Sequence, residues 1–359
     1  MKVIVIGAGV IGSLTAYHLA RSGADVTVID ALGPASGASG ASFGWINASF
    51  YLDAPHFHLR QAGIEAHHRL QNSLETAAIR WQRCLCWEET GDAFDAQYGE
   101  LQKLGYPVRV LSRDEVSALE PEITPPDRAL MFECEGVANL CALTADALTA
   151  AQSSGAKLIT GVTVDGIVHR SGRITGVRWS GGTLACDKVV VAAGVSVPDL
   201  LFDTGISVPM LDRPGVIMRS AVMPPLLAHI LVTPEGEIRQ DASGRLIVPT
   251  AVSHQSDATT RINSDPRSLA SAAATRVSGL MNREITWDSV ALAYRPVPGD
   301  QRPVIGPAGP QGMHIAVMHS GATLCAIAAE ITALEVLEAP LSKEFETLVA
   351  PYKPQRFTG

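Results

Sequence analysis

The first residues with a clear chemical use are three glycines close to the amino terminus. Gly7, Gly9 and Gly12 form a Gly-x-Gly-x-x-Gly turn directly after an apolar run at 3–6. Gly7 permits a tight turn, Gly9 lets the backbone approach a pyrophosphate, and Gly12 lets the following helix pack on the strand. The start of that helix leaves unpaired backbone N–H groups that can bind phosphate.

A carboxylate stands about 20 residues beyond this turn, at the spacing expected for a ribose ligand. Asp30 ends a second segment of strand character at 25–29. It can accept hydrogen bonds from ribose hydroxyls and would repel a 2′-phosphate, which favours NAD or FAD over NADP. Asp30 therefore completes a predicted dinucleotide site.

The segment 33–44 is dense in glycine, alanine and serine. Its backbone could approach a large ligand closely, and the hydroxyls of Ser39 and Ser42, on either side of Ala41, could bind phosphate. A flexible linker is the alternative. Because aromatic residues follow at once, we favour a loop that wraps around a cofactor.

A second strand, glycine turn and helix lie near the carboxyl terminus. A strand is predicted at 313–318, followed by His319-Ser320-Gly321 and a helix at 322–337. The start of this helix can stabilise negative charge on a bound group. His319 could act directly on substrate or cofactor, or it could simply be hydrogen-bonded near the helix start.

Two arginines are candidate substrate ligands. Arg295 follows the apolar stretch 290–294, so if it is buried it needs a partner, and a guanidinium fits a carboxylate with two hydrogen bonds. A structural salt bridge is the alternative. Glu237 and Arg239 share one face of a predicted strand, and either could reach a substrate, but the pattern favours a solvated antiparallel face.

No metal site is predicted from the cysteines and histidines. Cys84 and Cys86 form a close pair, but no second pair or nearby histidine stands at zinc spacing, which favours buried thiols. The adjacent His67 and His68 would point in different directions on a helix.

Composition limits the class of protein. The chain has 359 residues, 47% of them hydrophobic, and a net charge of −8. This length predicts two or three domain-sized units, and the acidic balance argues against a nucleic-acid partner. No apolar stretch approaches the ~20 residues of a membrane span, and the first residues read as a strand rather than a signal segment, so we expect a cytoplasmic protein.

The order of predicted strands and helices after residue 30 differs from that of a nicotinamide-type domain, in which strand and helix would continue to alternate. Residues 205–286 instead alternate short strand-like runs with turns, which indicates a mainly antiparallel unit. Helices are predicted at 11–22, 56–78, 143–152 and 268–281, and strands at 157–160, 167–169, 174–179, 183–186 and 188–194.

With these blocks in place, the chain resembles the D-amino-acid oxidase and glycine oxidase family of FAD-dependent oxidoreductases, which includes sarcosine oxidases and D-amino-acid dehydrogenases. The resemblance covers the chain essentially end to end. Its matching pieces are the glycine turn, 39–42, 189–194, 295–306, 319–321 and Arg356-Phe357.

This resemblance implies a noncovalently bound FAD that lies extended across the sheet. The three glycines of the turn would surround the pyrophosphate, Asp30 would hold the ribose, and Val164 would contact adenine. Arg295 matches an arginine that binds the substrate carboxylate, and Arg239 and His319 are further catalytic candidates. The other cofactor-binding residues are expected to be Val10, Ile11, Ala31, Ser39, Ala41, Ser42, Ala193, Gly194, Gly321, Ala322, Thr323 and Leu324.

Three further side chains could line the flavin face: Trp45, Asn47 and Tyr51, although core packing also explains the aromatic ones.

Two positions depart from the family pattern. Glycine oxidases carry a second basic residue just after the histidine that corresponds to His319, whereas Ser320 and a glycine follow here. Ala293 stands where some sarcosine oxidases attach the flavin through a cysteine, so that covalent link is not expected.

The predicted fold class is α/β, with a Rossmann-like FAD-binding domain of the glutathione-reductase type and a mainly antiparallel α+β substrate domain. The FAD-binding domain is assembled from discontinuous segments. Its segments are 1–78, 139–204 and 290–353, the substrate domain takes 79–138 and 205–289, and 354–359 form a carboxy-terminal tail.

The expected activity is FAD-dependent oxidation of an amine, foremost an amino acid or N-substituted amino acid. Hydride transfer to flavin N5 would give an imine that hydrolyses. Oxygen or another acceptor would take the electrons. The oligomeric state is left open, and an oligomer is possible. The alternatives are a 2-hydroxy-acid dehydrogenase with His319 as base, a FAD-binding subunit of a heteromeric opine or sarcosine-type dehydrogenase, and a non-catalytic flavin-binding protein.

Overall fold

The structure is a computed structural model that describes residues 1–252, 257–262 and 265–357. The last two residues of the predicted tail lie outside this range. Its helices are α1 (Val10–Arg21), α2 (Ala54–Leu74), α3 (Gly91–Lys103), α4 (Arg113–Leu119), α5 (Leu140–Ser153), α6 (Val197–Leu200), α7 (Pro266–Leu280), α8 (Gly321–Val336) and α9 (Lys343–Val349). Its strands are β1 (Lys2–Ile6), β2 (Asp25–Asp30), β3 (Trp45–Ile46), β4 (Ile79–Arg80), β5 (Cys84–Cys86), β6 (Val108–Ser112), β7 (Arg128–Phe132), β8 (Gly136–Ala138), β9 (Lys157–Thr160), β10 (Val164–Arg170), β11 (Arg173–Trp179), β12 (Gly182–Ala185), β13 (Lys188–Val191), β14 (Met210–Leu211), β15 (Pro214–Ser220), β16 (Ile230–Thr233), β17 (Gly236–Gln240), β18 (Leu246–Pro249), β19 (Trp287–Tyr294), β20 (Val297–Pro298), β21 (Val304–Pro307) and β22 (Met313–Val317).

A six-stranded sheet brings together chain segments that are far apart in sequence. Its order is β21-β22-β13-β1-β2-β9, and every neighbouring pair is parallel except β21 with β22. Because the carboxyl ends of β1, β2, β13 and β22 meet at one edge, the turns that follow them converge there. This sheet confirms the predicted α/β class.

Both faces of this sheet are covered, which explains the uninterrupted apolar character of β1. Val3 and Val5 pack with residues of α1, α5 and α8 on one face. Ile4 and Ile6 pack with residues of the meander β10-β11-β12 on the other. The result is a three-layer unit with its core on both sides of the parallel sheet.

An eight-stranded sheet forms the second large element, in the order β19-β15-β18-β17-β16-β5-β7-β6. All its pairs are antiparallel except β16 with β5. All five residues of β17 are buried. The predicted solvated face for Glu237 and Arg239 is therefore wrong, because β17 is an interior strand whose two faces are both covered.

Helix α2 begins earlier and ends earlier than the predicted range 56–78. Asp53 caps its start by accepting a hydrogen bond from the backbone N–H of His56, and Pro55 occupies the first turn. The helix stops at Glu75, which adopts a left-handed conformation with a φ of 50°, and residues 79–80 already belong to a strand.

The chain enters and leaves the two sheets repeatedly. Strands of the six-stranded sheet come from 2–30, 157–191 and 304–317, and those of the eight-stranded sheet from 84–132 and 214–294. Strand β19 runs across the predicted boundary at 289/290. The division into two domains at the stated boundaries stays a prediction.

Candidate active site and cofactor cleft

A cleft of about 980 Å³ opens at the edge where the parallel strands end. Its opposite wall comes from β15 and β19 of the eight-stranded sheet. Most of the predicted site residues line it together: Gly7, Gly9, Val10, Ile11, Asp30, Ala31, Ser39, Ala41, Ser42, Val164, Ala193, Gly194, Arg295, His319, Gly321, Ala322 and Thr323.

Three predicted residues do not line the cleft. Gly12 lies behind the turn, where a Cβ atom would stand 2.0 Å from the carbonyl oxygen of Gly7, so it serves close packing. Leu324 is fully buried in α8. Arg239 reaches the loop that wraps the cleft rather than the cleft itself.

The glycine turn is shaped for close approach of a ligand to the backbone. Gly7 has a φ of 108°, and a Cβ atom there would lie 2.4 Å from the carbonyl oxygen of Ala192. Gly9 caps α1 without a side-chain hydrogen bond, and the first turn of the helix carries no acidic residue. The N–H of Val10 donates to Ser39 Oγ, and the rest of the first turn offers N–H groups and partial positive charge to an anion.

Asp30 holds the neighbouring turns in place. Its Oδ2 accepts a hydrogen bond from the N–H of Ala8 at 2.8 Å, and its Oδ1 accepts from Leu32 and Gly33 at 2.9 and 2.7 Å. Each carboxylate oxygen can accept more than one hydrogen bond, so the half-buried side chain can also serve a hydroxyl in the cleft.

The segment 33–44 is a fixed loop. Ser39 Oγ accepts from the N–H of Val10 at 3.1 Å, which ties the loop to the start of α1. Arg219 donates to the carbonyl of Gly40 at 3.0 Å, and Arg239 donates through Nε to the carbonyl of Phe43 at 2.6 Å.

The Arg239 guanidinium also lies over the ring of Phe43, 5.4 Å from its centroid. Burial lowers the pKa of Arg239 to about 10, which leaves it cationic at neutral pH. Arg239 is therefore a positioning residue for the loop, and a direct contact with substrate stays a prediction.

At the other end of the cleft, α8 begins after Ser320, which has a φ of 58° and lies in the left-handed region. Thr323 Oγ1 accepts from the N–H of Asn47 and donates to the carbonyl of Trp45, both at 3.2 Å. The first turn of α8 carries no acidic residue. The segment from Trp45 to Asn47 and the start of α8 thus form one connected wall.

Trp45 and Asn47 line the cleft, as predicted, but Tyr51 does not. The Tyr51 hydroxyl donates to the Glu100 carboxylate at 2.6 Å, and its ring packs against Phe57.

Arg60 is a cleft residue that the sequence reasoning missed. Its side chain is 1% exposed and is among the largest fully buried side chains in the described part of the chain. It donates to the carbonyl oxygen and the Oδ1 of Asn47 at 3.0 and 2.6 Å, and to Ser320 Oγ at 2.7 Å.

The position of Arg60 relative to apolar residues in the sequence could have indicated that it is buried. Arg60 occupies the apolar stripe of α2, three residues after Phe57 and four before Ile64, both of which are buried.

Arg295 lines the cleft and is paired with an internal carboxylate. One Nη atom donates to Asp257 Oδ2 at 2.8 Å and to the carbonyl of Pro214 at 3.3 Å. The side chains of Arg295 and Asp257 are 17% and 14% exposed. The salt bridge that the sequence left open is therefore present, and it stands in the cleft, where a substrate carboxylate would compete with Asp257.

The histidines of this region are neutral at ordinary pH. Burial, together with the positive charges of Arg295 and Arg60, lowers the pKa of His319 to about 4. Its Nδ1 lies 3.3 Å from Ser320 Oγ. Burial and the charge of Arg60 lower the pKa of His56 to about 3, and its Nδ1 accepts from the N–H of Leu52.

A buried carboxylate behind this wall was also missed. Glu135 accepts hydrogen bonds from Ser49, Tyr106 and Trp45 at 2.5, 2.7 and 2.8 Å. Burial raises the pKa of Glu135 to about 7, against the opposing effect of these three donors.

The cysteines and histidines that were weighed as metal ligands have other surroundings. Cys84 and Cys86 are buried in β5, and burial raises the pKa of both thiols. His67 Nε2 lies 2.8 Å from the carbonyl oxygen of Ala322, while His68 stacks on Trp81. In the ranges that the structure describes, no group of three or more His, Cys, Asp or Glu could hold a metal ion.

The chain belongs to the DAO family of FAD-dependent oxidoreductases, whose model matches residues 2–334. FAD is the cofactor of this family, so the predicted cofactor and the predicted enzyme class are confirmed. The start of α1 after Gly9, the close approach at Gly7 and the size of the cleft fit FAD. Noncovalent binding of FAD is typical of this family.

Several relatives are known. "Hydrogen cyanide synthase subunit HcnC" of Pseudomonas aeruginosa is 28% identical over 226 residues, which cover 60% of this chain and 53% of the relative. "D-amino acid dehydrogenase" of Rhizobium rhizogenes is 28% identical over 293 residues, which cover 63% and 68%. The match to the first of these thus spans about half of its length.

Solved structures show the same fold. Glycine oxidase from Geobacillus kaustophilus superimposes with a TM-score of 0.85 at 22% identity and covers 100% of both chains. Iminodiacetate oxidase from Chelativorans sp. BNC1 gives a TM-score of 0.83 at 23% identity and covers 98% of each. In the described part of the chain, no helix is long and apolar enough to cross a membrane.

Proposed function

We propose that the protein catalyses FAD-dependent oxidation of an amine that carries a carboxylate, an amino acid or N-substituted amino acid. One observation carries the proposal: Arg295 and the start of α8 line the same cleft. A cation that binds a carboxylate would hold the substrate there. The partial positive charge at the start of α8 would stabilise negative charge that develops beside it.

Bound FAD supplies the acceptor for the two electrons and the hydrogen of the substrate Cα–H bond. Arg295 orients the substrate through its carboxylate, so that this bond faces the acceptor. The segment from Trp45 to Asn47 and the first turn of α8 exclude water from that end of the cleft. The neutral His319 adds no positive charge there, and the positive charges of Arg295 and Arg60 disfavour the ammonium form of the substrate amine.

The names of relatives support an amine substrate. Iminodiacetate, glycine and D-amino acids are all amines that carry carboxylates. "4-methylaminobutanoate oxidase (formaldehyde-forming)" of Paenarthrobacter nicotinovorans adds an N-methylated amino acid; it is 26% identical over 263 residues, which cover 69% of this chain and 31% of that protein.

A 2-hydroxy-acid substrate is less well supported. It would need a base for the hydroxyl proton, and His319 was the candidate. Because burial and neighbouring arginines lower its pKa to about 4, His319 binds a proton weakly at neutral pH and is a poor base.

A second candidate is the FAD-binding subunit of a heteromeric dehydrogenase. The similarity to HcnC, which is named as a subunit, favours it. Oxygen or another molecule as the electron acceptor, the possible formation of an oligomer and the cytoplasmic location stay predictions.

The test is anaerobic mixing of the yellow protein with D-, L- and N-methyl amino acids, matched 2-hydroxy acids and amines without a carboxylate, while flavin absorbance is recorded. We expect bleaching by amino acids and none by hydroxy acids. Bleaching by hydroxy acids alone would refute the proposal. Bleaching that requires the products of neighbouring genes would favour the subunit.

A further inference from the structure

Arg60 is a buried cation whose hydrogen-bond acceptors are all neutral. They are the carbonyl oxygen and Oδ1 of Asn47 and the hydroxyl oxygen of Ser320. Burial lowers the pKa of Arg60 to about 10, so it remains charged at neutral pH.

The acidic residue that acts on Arg60 compensates this charge incompletely. Glu135 raises the pKa of Arg60 through its charge, but its oxygens accept from Ser49, Tyr106 and Trp45. Burial also raises the pKa of Glu135 to about 7, so near neutral pH it is only partly ionised.

This charge stands beside a helix start. Arg60 donates to Ser320, the residue that precedes α8, and both line the cleft. The helix start adds partial positive charge in the same place. Arg295, another arginine of the cleft lining, already has Asp257 as a partner.

We propose that Arg60 stabilises the reduced, anionic form of FAD in the cleft and thereby raises its reduction potential. This rests on the proposed function only in placing the redox-active end of FAD at the start of α8. The substrate Cα loses hydride and becomes an iminium carbon, and the electron pair leaves one negative charge on the reduced cofactor. A fixed cation in a site of low dielectric stabilises that charge and needs no rearrangement.

The variants separate charge from packing. Arg60→Met removes the cation but keeps a long side chain, and Arg60→Lys keeps the cation while losing part of the hydrogen bonding. Ser320→Ala keeps the cation and removes one acceptor. Arg69→Met is the matched control, because Arg69 lies on the same helix but its side chain is 49% exposed and pairs with Glu330.

Two measurements on the holoprotein need no amine substrate. One is the dissociation constant for sulfite, which adds to oxidised flavin and places negative charge on the ring. The other is the reduction potential of the bound FAD against a reference dye. Both remain informative if no amine bleaches the protein, so failure of this proposal is distinct from failure of the proposed function.

We expect Arg60→Met to weaken sulfite binding about tenfold or more, the effect of one charge-assisted interaction. The same factor lowers the potential of a two-electron couple by about 30 mV. Arg60→Lys and Ser320→Ala should stay within about threefold of the native protein, and Arg69→Met should match it.

Native sulfite affinity and potential in Arg60→Met that retains FAD would overturn the proposal. Equal losses in Arg60→Lys and Arg60→Met would also overturn it, since they would assign Arg60 a packing role. If Arg60→Met does not hold FAD, Arg60→Lys decides: a near-native potential supports the proposal, and a potential lowered by about 30 mV or more refutes it.

Discussion

Replacing Arg295 by alanine should weaken the binding of carboxylate substrates far more than that of amines without a carboxylate. The Arg295 and Asp257 side chains are 17% and 14% exposed, so solvent screens the site only partly. A charge-assisted hydrogen bond in such a place contributes about 1.5–3 kcal/mol. Since about 1.4 kcal/mol is a factor of ten, the loss for a carboxylate ligand is about 10- to 150-fold.

The ion pair between Arg295 and Asp257 lowers the affinity for a carboxylate ligand, and this effect can be tested. A substrate carboxylate must displace Asp257 from Arg295. Asp257 Oδ2 lies 2.8 Å from Arg295 Nη2. Asp257→Asn removes the competing charge and should tighten carboxylate binding by about threefold to tenfold. In the Arg295→Ala background the same change should relieve repulsion between Asp257 and the ligand.

The assay is the dissociation constant of acetate, read from its perturbation of the flavin spectrum, together with KM for amino acids and for a neutral amine. Arg109→Met is the control, because Arg109 pairs with Glu133 at a half-exposed position outside the cleft. Equal losses for carboxylate and neutral ligands in Arg295→Ala would refute the assigned role. An Asp257→Asn variant that binds acetate more weakly than the native protein would refute the competition.

Three further changes have defined outcomes. Gly7→Ala should abolish FAD binding, since its Cβ would stand 2.4 Å from the Ala192 carbonyl oxygen at a φ of 108°; a native FAD dissociation constant would contradict this. Arg239→Met should weaken FAD binding about tenfold through loss of the hydrogen bond to the Phe43 carbonyl, and equilibrium dialysis with Arg109→Met as control measures it; an unchanged FAD dissociation constant would contradict this. Glu135→Gln should flatten the pH dependence of stability. Burial raises the Glu135 pKa from 4.5 to about 7, so the native protein holds this proton more tightly than the unfolded chain. Its contribution is present below pH 4.5 and is lost as pH rises through about 7, a change of about 3 kcal/mol at full extent. Urea titrations of both proteins from pH 5 to 8 measure the difference, and parallel curves would contradict the assignment.

Local patterns allowed the cofactor half of the cleft to be predicted. The strand, glycine turn and helix at 3–21 form from neighbouring residues, and a carboxylate at the end of the next strand follows from the same spacing. The start of α8 could be predicted for the same reason. These residues lie together because the carboxyl ends of parallel strands meet at one edge of the sheet.

The missed residues depend on contacts between distant segments. Arg60 was not singled out because an arginine on a helix is usually solvated, and its acceptors at Asn47 and Ser320 come from other elements. The surroundings of Arg239 were predicted wrongly because alternation along a strand does not reveal whether its second face is covered. Asp257 could not be assigned to Arg295 from a separation of 38 residues.

The most direct test of the whole account is an equilibrium titration of FAD into the folded, cofactor-free protein. We expect one FAD bound per chain, with Asp30→Ala and Gly7→Ala binding FAD far more weakly and Arg69→Met binding it as the native protein does. A native-like circular dichroism spectrum without uptake of FAD would contradict the claim that three distant segments of the chain hold this cofactor.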